Sequence, residues 1–381
     1  MKIINARVYS EDFKFTEVPV YTQGSKFSTR SSDGVIVDAG GLLALPGLID
    51  LHFHGCAGAD FMDGTTKALE KISQHEAACG VTSICPASMT MSKDDILKAC
   101  AAAAAFRAPS NGAALAGIYM EGPFVSPHKA GAQNAQWLLP PSAEFFEQAQ
   151  RAARGLIKIL ALAPELDGAL DTIRALKGRV LCSIAHTEAT YETAAAAIAA
   201  GATHLTHLFN AMPPLLHRAP GPVAAGADAP WCEAELITDG VHVHPAAVRA
   251  ALRLYGKEKL ILISDSMRAT GLGDGISELG GQQVTVKGRR AFLKDGTLAG
   301  SVTCLFDCLK TAVMEMEIPL ETALRCASYN PAHCLGEADR IGSIVPGRQA
   351  DLLLTDEKLE LKAVMLRGRW LFCRHSSAGE T

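Results

Sequence analysis

Aromatic residues are scarce in this 381-residue chain, at 6%, and charged residues reach only 20%. No Lys/Arg block occurs, and 36 basic against 40 acidic side chains leave a net charge of 36 − 40 = −4 with His neutral. Nothing therefore suggests a basic groove for nucleic acid. No apolar run approaches the ~20 residues that cross a bilayer, so no membrane partner is expected. The first residues, Met1 to Val8, read as a strand and lack the apolar core and small-residue cleavage site of a signal peptide. Cysteine is present at 11 residues, but the number is odd, the residues are scattered and no CxxC pair occurs. That pattern argues against a disulfide framework and for buried thiols in a reducing, cytoplasmic setting.

What the chain does contain is 48% hydrophobic residues and 34 glycines. Many turns against small side chains fit a globular α/β protein better than a β-sandwich. The length exceeds what one ordinary core organises, so either a large barrel or a domain with an attachment is expected. The first 45 residues alternate β-rich runs with turn clusters, and Ile341–Gly347, Ala350–Leu354 and Ala363–Leu366 do the same near the other end. Neither end has enough strands to be stable alone, so residues 1–45 with 340–381 are expected to form one small discontinuous sheet domain.

Between them, over 46–339, eight apolar runs are separated by stretches long enough for crossover helices. They are Leu48–Phe53, Val81–Cys85, Ala116–Met120, Ile157–Leu162, Val180–Ala185, His204–Leu208, Ala234–Thr238 and Leu260–Ser264. This count fits a (β/α)8 TIM barrel, with a doubly wound sheet as the alternative. The alanine runs 101–105 and 194–197 read as packed helices.

Residues of ligand or acid/base type cluster at or after the C-terminal ends of these runs. His52 and His54 end the first, Glu121 follows the third, His186 the fifth and Asp265 the eighth, while His207 lies late in the sixth. In a barrel those ends converge on one mouth, where active sites sit. The i, i+2 spacing of His52 and His54 puts both imidazoles on one face of a strand. Alone, the pair reads as two satisfied polar side chains; with Glu121, His186 and His207 it reads as a metal site. Imidazole and carboxylate suit Zn²⁺ or another first-row divalent ion, and the ligand number permits one ion or two. Asp265 is either a helix N-cap or a carboxylate that takes a proton from water beside the ion. His242 is either a surface-loop histidine or a residue of the same mouth. Arg218, in the loop that follows His207, would suit a phosphate, although a solvated loop arginine is common.

The motifs narrow this further. Pro46-Gly47-Leu48-Ile49-Asp50-Leu51-His52-Phe53-His54-Gly55 resembles the first-strand motif of the amidohydrolase superfamily. Met120-Glu121-Gly122-Pro123-Phe124, Ala185-His186-Thr187, His207-Leu208-Phe209-Asn210-Ala211-Met212 and Ile263-Ser264-Asp265-Ser266-Met267 resemble one branch of it. With Gly296-Thr297-Leu298-Ala299-Gly300-Ser301 and Asn330-Pro331-Ala332, that branch is the N-acetylglucosamine-6-phosphate deacetylase family. The motifs run in order over nearly the whole chain, and the set is specific although HxH alone is widespread.

The resemblance implies a metal-dependent barrel with a small β-sandwich made from both termini. It implies hydrolysis of the acetamide of a 2-acetamido sugar 6-phosphate to acetate and the amino sugar phosphate. Glu121, His186 and His207 would hold the main ion, with Zn²⁺ expected ahead of Fe²⁺ or Mn²⁺. Asp265 would activate water and protonate the amine, and His242 would position or polarise the acetyl carbonyl. Asn210, Ala211 and Arg218 would contact the substrate, Arg218 at the phosphate, within its own subunit or across an interface of a homodimer or homotetramer. Ala132, Gln133, Thr303, Cys304 and Leu305 fall at further substrate-lining positions.

Two departures stand out. Some family members replace the first-strand histidines and use one ion, whereas His52 and His54 are both present here. The family's usual Lys-Gly-Ala-His reads Ala130-Gly131-Ala132-Gln133, which leaves a galactosamine-type substrate open. Dihydroorotase and hydantoinase relatives are disfavoured because no lysine stands at the end of the fourth run, which reads Ala161-Leu162-Ala163-Pro164-Glu165. A non-enzymatic scaffold is disfavoured by the complete ligand set.

Overall fold

The computed structural model describes residues 1–31 and 33–373. All eight expected strands form: β1 (Leu48–Asp50), β2 (Val81–Ile84), β3 (Ile118–Met120), β4 (Ile157–Leu162), β5 (Leu181–Ile184), β6 (His204–Leu205), β7 (Glu233–Ile237) and β8 (Leu260–Ile263). β3 to β8 form one parallel sheet in chain order, and β2 pairs in parallel with β1. The two pieces meet at both seams. Tyr119 N–H donates to Pro86 O at 3.0 Å and Asp265 N–H to His52 O at 3.0 Å. The sheet is thus curled in the manner of a TIM barrel.

Strand alternation explains the layering. In β8, Leu260 and Leu262 face the core between sheet and helices, while Ile261 and Ile263 face the inner core. Leu160 and Leu162 against Ile159 and Ala161 do the same in β4. The connecting helices begin where hydroxyl side chains cap free N–H groups, as Thr65, Ser92, Ser142 and Thr190 do. Both alanine runs lie in helices, Lys93–Ala105 and Tyr191–Ala200, as helix propensity predicts. The short helix Tyr329–Cys334 plugs the lower mouth, with Ala332 and Cys334 in the inner core. Asn330 fastens it by donating to Lys257 O at 2.8 Å and Leu260 O at 2.7 Å.

The two chain ends meet in one six-stranded sheet. Leu43–Pro46 pairs antiparallel with Leu352–Thr355, with Leu45 opposite Leu353. A four-stranded sheet from the first 38 residues shares a core with it through Ile3, Val20 and Phe27 against Ala44, Leu354 and Met365. Residues 374–381 of the expected terminal segment lie outside the described residues. Cys56, Cys85, Cys100 and Cys182 are buried free thiols, in keeping with the reading of cysteine as a small hydrophobe. No described helix is long and apolar enough to cross a membrane.

Two features were not legible in the patterning. A three-stranded antiparallel insert, Gly275–Leu279, Gln282–Lys287 and Arg290–Leu293, interrupts the connection after β8. The first and sixth strands are also shorter than their apolar runs, because the chain leaves the sheet to present its ligand-type residues.

Candidate metal centre and active site

His52 and His54 follow β1, whose last residue is Asp50, and both are buried. The chain is held there beside β8, where His54 N–H donates to Ser266 O at 2.7 Å. His186 and His207 likewise sit past their strands, at φ of 43° and 28°, and Asp265 at 49°. Left-handed backbone is costly for such residues and clusters at functional sites. Asp265 opens no helix, so the N-cap reading is discarded: Ser266 instead bridges to Ser301.

The histidine tautomers follow from their partners, since a carbonyl or carboxylate oxygen can only accept. His52 Nδ1 donates to Glu235 Oε2 at 2.7 Å, and His186 Nδ1 to Lys129 O at 2.8 Å. His54 Nδ1 donates to Ala87 O at 3.3 Å. Each ring therefore turns Nε2 inward, toward Glu121. Its Oε1 lies 3.2 Å from both His186 Nε2 and His207 Nε2, which are themselves 3.1 Å apart. Oε1 is also 3.4 Å from His52 Nε2, and Oε2 is 3.3 Å from His54 Nε2. Asp265 Oδ1 approaches His54 Nε2 at 3.3 Å and His52 Nε2 at 4.0 Å.

This donor set fits a divalent ion. A tetrahedral ion with bonds of about 2.0 Å spaces its ligand atoms by about 3.3 Å, close to the triangle of Glu121, His186 and His207. Two imidazole nitrogens facing each other at 3.1 Å need a proton or a cation between them. A second group, His52, His54 and Asp265, lies beside it, and Glu121 reaches the Nε2 atoms of both its histidines at 3.4 and 3.3 Å. Burial would raise the Glu121 carboxyl, but His52, His186 and His207 hold it well below the ordinary range. Asp265 is lowered in the same way, burial being outweighed by His54 and His52.

A cavity of about 440 Å³ opens over these groups, within the range of small-molecule sites. Of the expected residues, His54, Glu121, Ala132, Gln133, His186, His207, Asn210, Ala211, His242 and Asp265 line it. His52 stands behind, fully buried and stacked on Tyr119 at 4.3 Å between centroids. His242 donates from Nδ1 to Asp239 Oδ2 at 2.7 Å and from Nε2 to Ala299 O at 2.9 Å. Burial opposes charge on this ring, yet Asp239 raises its pKa overall. It is no surface histidine.

The remaining expected residues lie elsewhere. Arg218 is exposed on the loop after β6 and does not line the cavity. Thr303, Cys304 and Leu305 are buried at the start of helix Leu305–Met314, and Cys304 and Leu305 belong to the core between sheet and helices. Sequence reasoning passed over four features. Glu235 anchors His52, His204 and the His207 N–H from the middle of β7. Its strand read as an apolar run, although a lone carboxylate inside one is itself a signal. His128 and Lys129 bring two basic side chains to the cavity, and Leu279 from the insert closes one side.

Comparison with known proteins settles the family. The amidohydrolase family model matches residues 43–371. This chain belongs to the amidohydrolase family. Among curated proteins it is 42% identical over 333 residues to N-acetylglucosamine-6-phosphate deacetylase of Bacillus subtilis (strain 168), covering 86% of this chain and 84% of that one. It is 35% identical over 331 residues to N-acetylgalactosamine-6-phosphate deacetylase of Escherichia coli O157:H7, covering 86% and 87%. Among solved structures, N-acetyl-D-glucosamine-6-phosphate deacetylase of Mycobacterium smegmatis superposes with a TM-score of 0.90 at 31% identity, over 98% of this chain and 100% of that one. An aspartate-to-alanine mutant of the same protein, in complex with N-acetyl-D-glucosamine-6-phosphate, gives 0.89 at 31% identity over 97% and 99%. This amidohydrolase therefore shares its whole architecture, from the paired ends to the plugged barrel, with sugar-phosphate deacetylases.

Proposed function

We propose that this amidohydrolase removes the acetyl group of N-acetyl-D-glucosamine 6-phosphate, giving acetate and D-glucosamine 6-phosphate in amino-sugar breakdown. The observation that carries the reading is the placement of Asp265 beside the Glu121–His186–His207 triad, at the floor of a cavity sized for a small polar ligand. We assign 46–339 to a (β/α)8 catalytic barrel and 1–45 with 340–381 to a small β-sandwich, in a cytoplasmic homodimer or homotetramer.

Glu121, His186 and His207 would hold the main ion, with Zn²⁺ ahead of Fe²⁺ or Mn²⁺, and His52, His54 and Asp265 offer a second position. The bound ion supplies Lewis acidity for the amide oxygen and acidifies water. Asp265 then accepts a proton from the attacking water, and the new C–O bond forms at the acetyl carbon. The same carboxylic acid returns that proton to the amide nitrogen, so the C–N bond breaks with a neutral amine leaving. His242, held through Nδ1 by Asp239, turns its Nε2 toward the cavity and can trade Ala299 O for the acetyl oxygen. Asn210, the Ala211 backbone and Gln133 bound the sugar. His128 and Lys129 are placed for the phosphate within the subunit, and Arg218 would reach it only from another.

The test compares acetate release from the gluco substrate, its galacto epimer and the unphosphorylated sugar by metal-loaded protein. The gluco phosphate is expected to be turned over best. Asp265→Asn is expected to cut kcat by about 10²- to 10⁴-fold. Equal turnover by that variant would reject the mechanism. Equal turnover of the unphosphorylated sugar would reject the phosphate contacts.

A further inference from the structure

A third group of metal-ligating side chains lies at the other end of the barrel. His204 opens β6, Glu233 opens β7, and Cys334 ends the plugging helix Tyr329–Cys334. Their donor atoms fall within 4.8 Å of one another. His204 is fully buried and its Nε2 donates to Glu235 Oε1 at 3.0 Å. Its Nδ1 faces Cys334 Sγ at 3.8 Å and Glu233 Oε2 at 3.9 Å.

We infer that Cys334, His204 and Glu233 form a separate transition-metal site on the lower face of the barrel, taking Zn²⁺ or a similarly borderline-soft divalent ion. The spacing is the first reason. A direct N–H···O contact would close to about 2.9 Å, and the 3.9 Å gap to Glu233 is too long for one. A tetrahedral ion with a thiolate at about 2.3 Å and an imidazole at about 2.0 Å separates those atoms by about 3.5 Å, near the observed 3.8 Å. The second reason is the carboxylate behind the ring, because a histidine ligand ordinarily donates its other N–H to such a partner. Glu235 fills that role here.

Access comes from the surface. Glu233 Oε1 also lies 3.4 Å from His333 Nδ1, and His333 has 66% of its side chain exposed. Cys334 further lines an open cavity with Thr203, Trp231 and Lys158. The thiol selects against Mg²⁺ and Ca²⁺, which prefer oxygen alone. On binding, the S–H bond is replaced by a sulfur–metal bond and the proton passes to solvent.

Cobalt distinguishes this site from the catalytic one, whose ligands carry no sulfur. Co²⁺ titrated into the full-length protein is expected to give a near-ultraviolet thiolate-to-cobalt charge-transfer band. The band should saturate with one more Co²⁺ per chain than Cys334→Ser binds, and Cys334→Ser should lack it. No band in the unaltered protein, or an equal band in Cys334→Ser, overturns the assignment.

Discussion

The side-chain amide of Gln133 donates to Glu121 Oε2 at 2.6 Å, while its own oxygen accepts the Thr90 N–H at 2.6 Å. Gln133 is 4% exposed. In this chain the residue acts first on Glu121, the proposed metal ligand. It leaves Oε1 to face His186 and His207 and competes for Oε2 with anything bound beside His54.

Gln133→Ala should therefore loosen Glu121 and weaken binding of the main ion by about 10- to 100-fold, the usual effect of removing a partner behind a ligand. Equilibrium dialysis against a buffered metal series measures it. Unchanged affinity with altered KM would instead place Gln133 in sugar recognition alone.

Glu235 is the keystone of the interior. It is fully buried and accepts from His52, from His204 and from the His207 backbone. Burial opposes its charge, but the two imidazoles hold it below the ordinary carboxylate range. Glu235→Ala leaves His52 and His204 buried without their partner. Breaking such a network costs about 3–5 kcal/mol. The denaturation midpoint should drop accordingly, and bound metal should fall with it, which elemental analysis reads independently.

Gly300 supports Asp265 by being small. A Cβ there would meet Asp265 O at 2.8 Å, in a place where Ser301 N–H already donates to that oxygen at 2.7 Å. Gly300→Ala must therefore displace the backbone of Asp265, the carboxylate proposed to transfer the proton. Turnover is expected to fall by at least about tenfold, since small misplacements near the chemistry are amplified. Metal content should hold, because Glu121, His186 and His207 sit on other strands.

Much of this was legible because barrel chemistry is linear in the chain: each candidate ligand follows a strand end, so the order His52, His54, Glu121, His186, His207, Asp265 maps directly onto one rim. The eight runs were readable for the same reason, as apolar clusters spaced by helices. The strand ends were not, since Leu51 and Phe53 continue the apolar pattern after sheet pairing with β2 has stopped at Asp50. Glu235 escaped notice because its value lies in three partners far apart in sequence. The insert after β8 escaped because its first strand carries no alternation, with Ile276 left 75% exposed and Gly275 beside it. Cys304 and Leu305 match a substrate-lining motif locally, yet their helix start turns them into the core.

Glu76 offers a pH test away from the site. It lies in helix Thr66–Ala78, fully buried, and neither carboxyl oxygen has a hydrogen-bond partner. Burial first, then the charges of Cys79 and Asp50, push its pKa well above the ordinary 4.5. The folded protein therefore keeps a proton that the unfolded chain releases above about 4.5. Its contribution is fully present below that pH and is lost as pH rises toward the folded value, at about 1.4 kcal/mol per unit. Glu76→Gln cannot ionise, so it should be more stable than the parent at pH 8 and nearly equal to it at pH 4. Denaturant midpoints for both proteins across that range measure the difference, and parallel curves would show that Glu76 is not the group responsible.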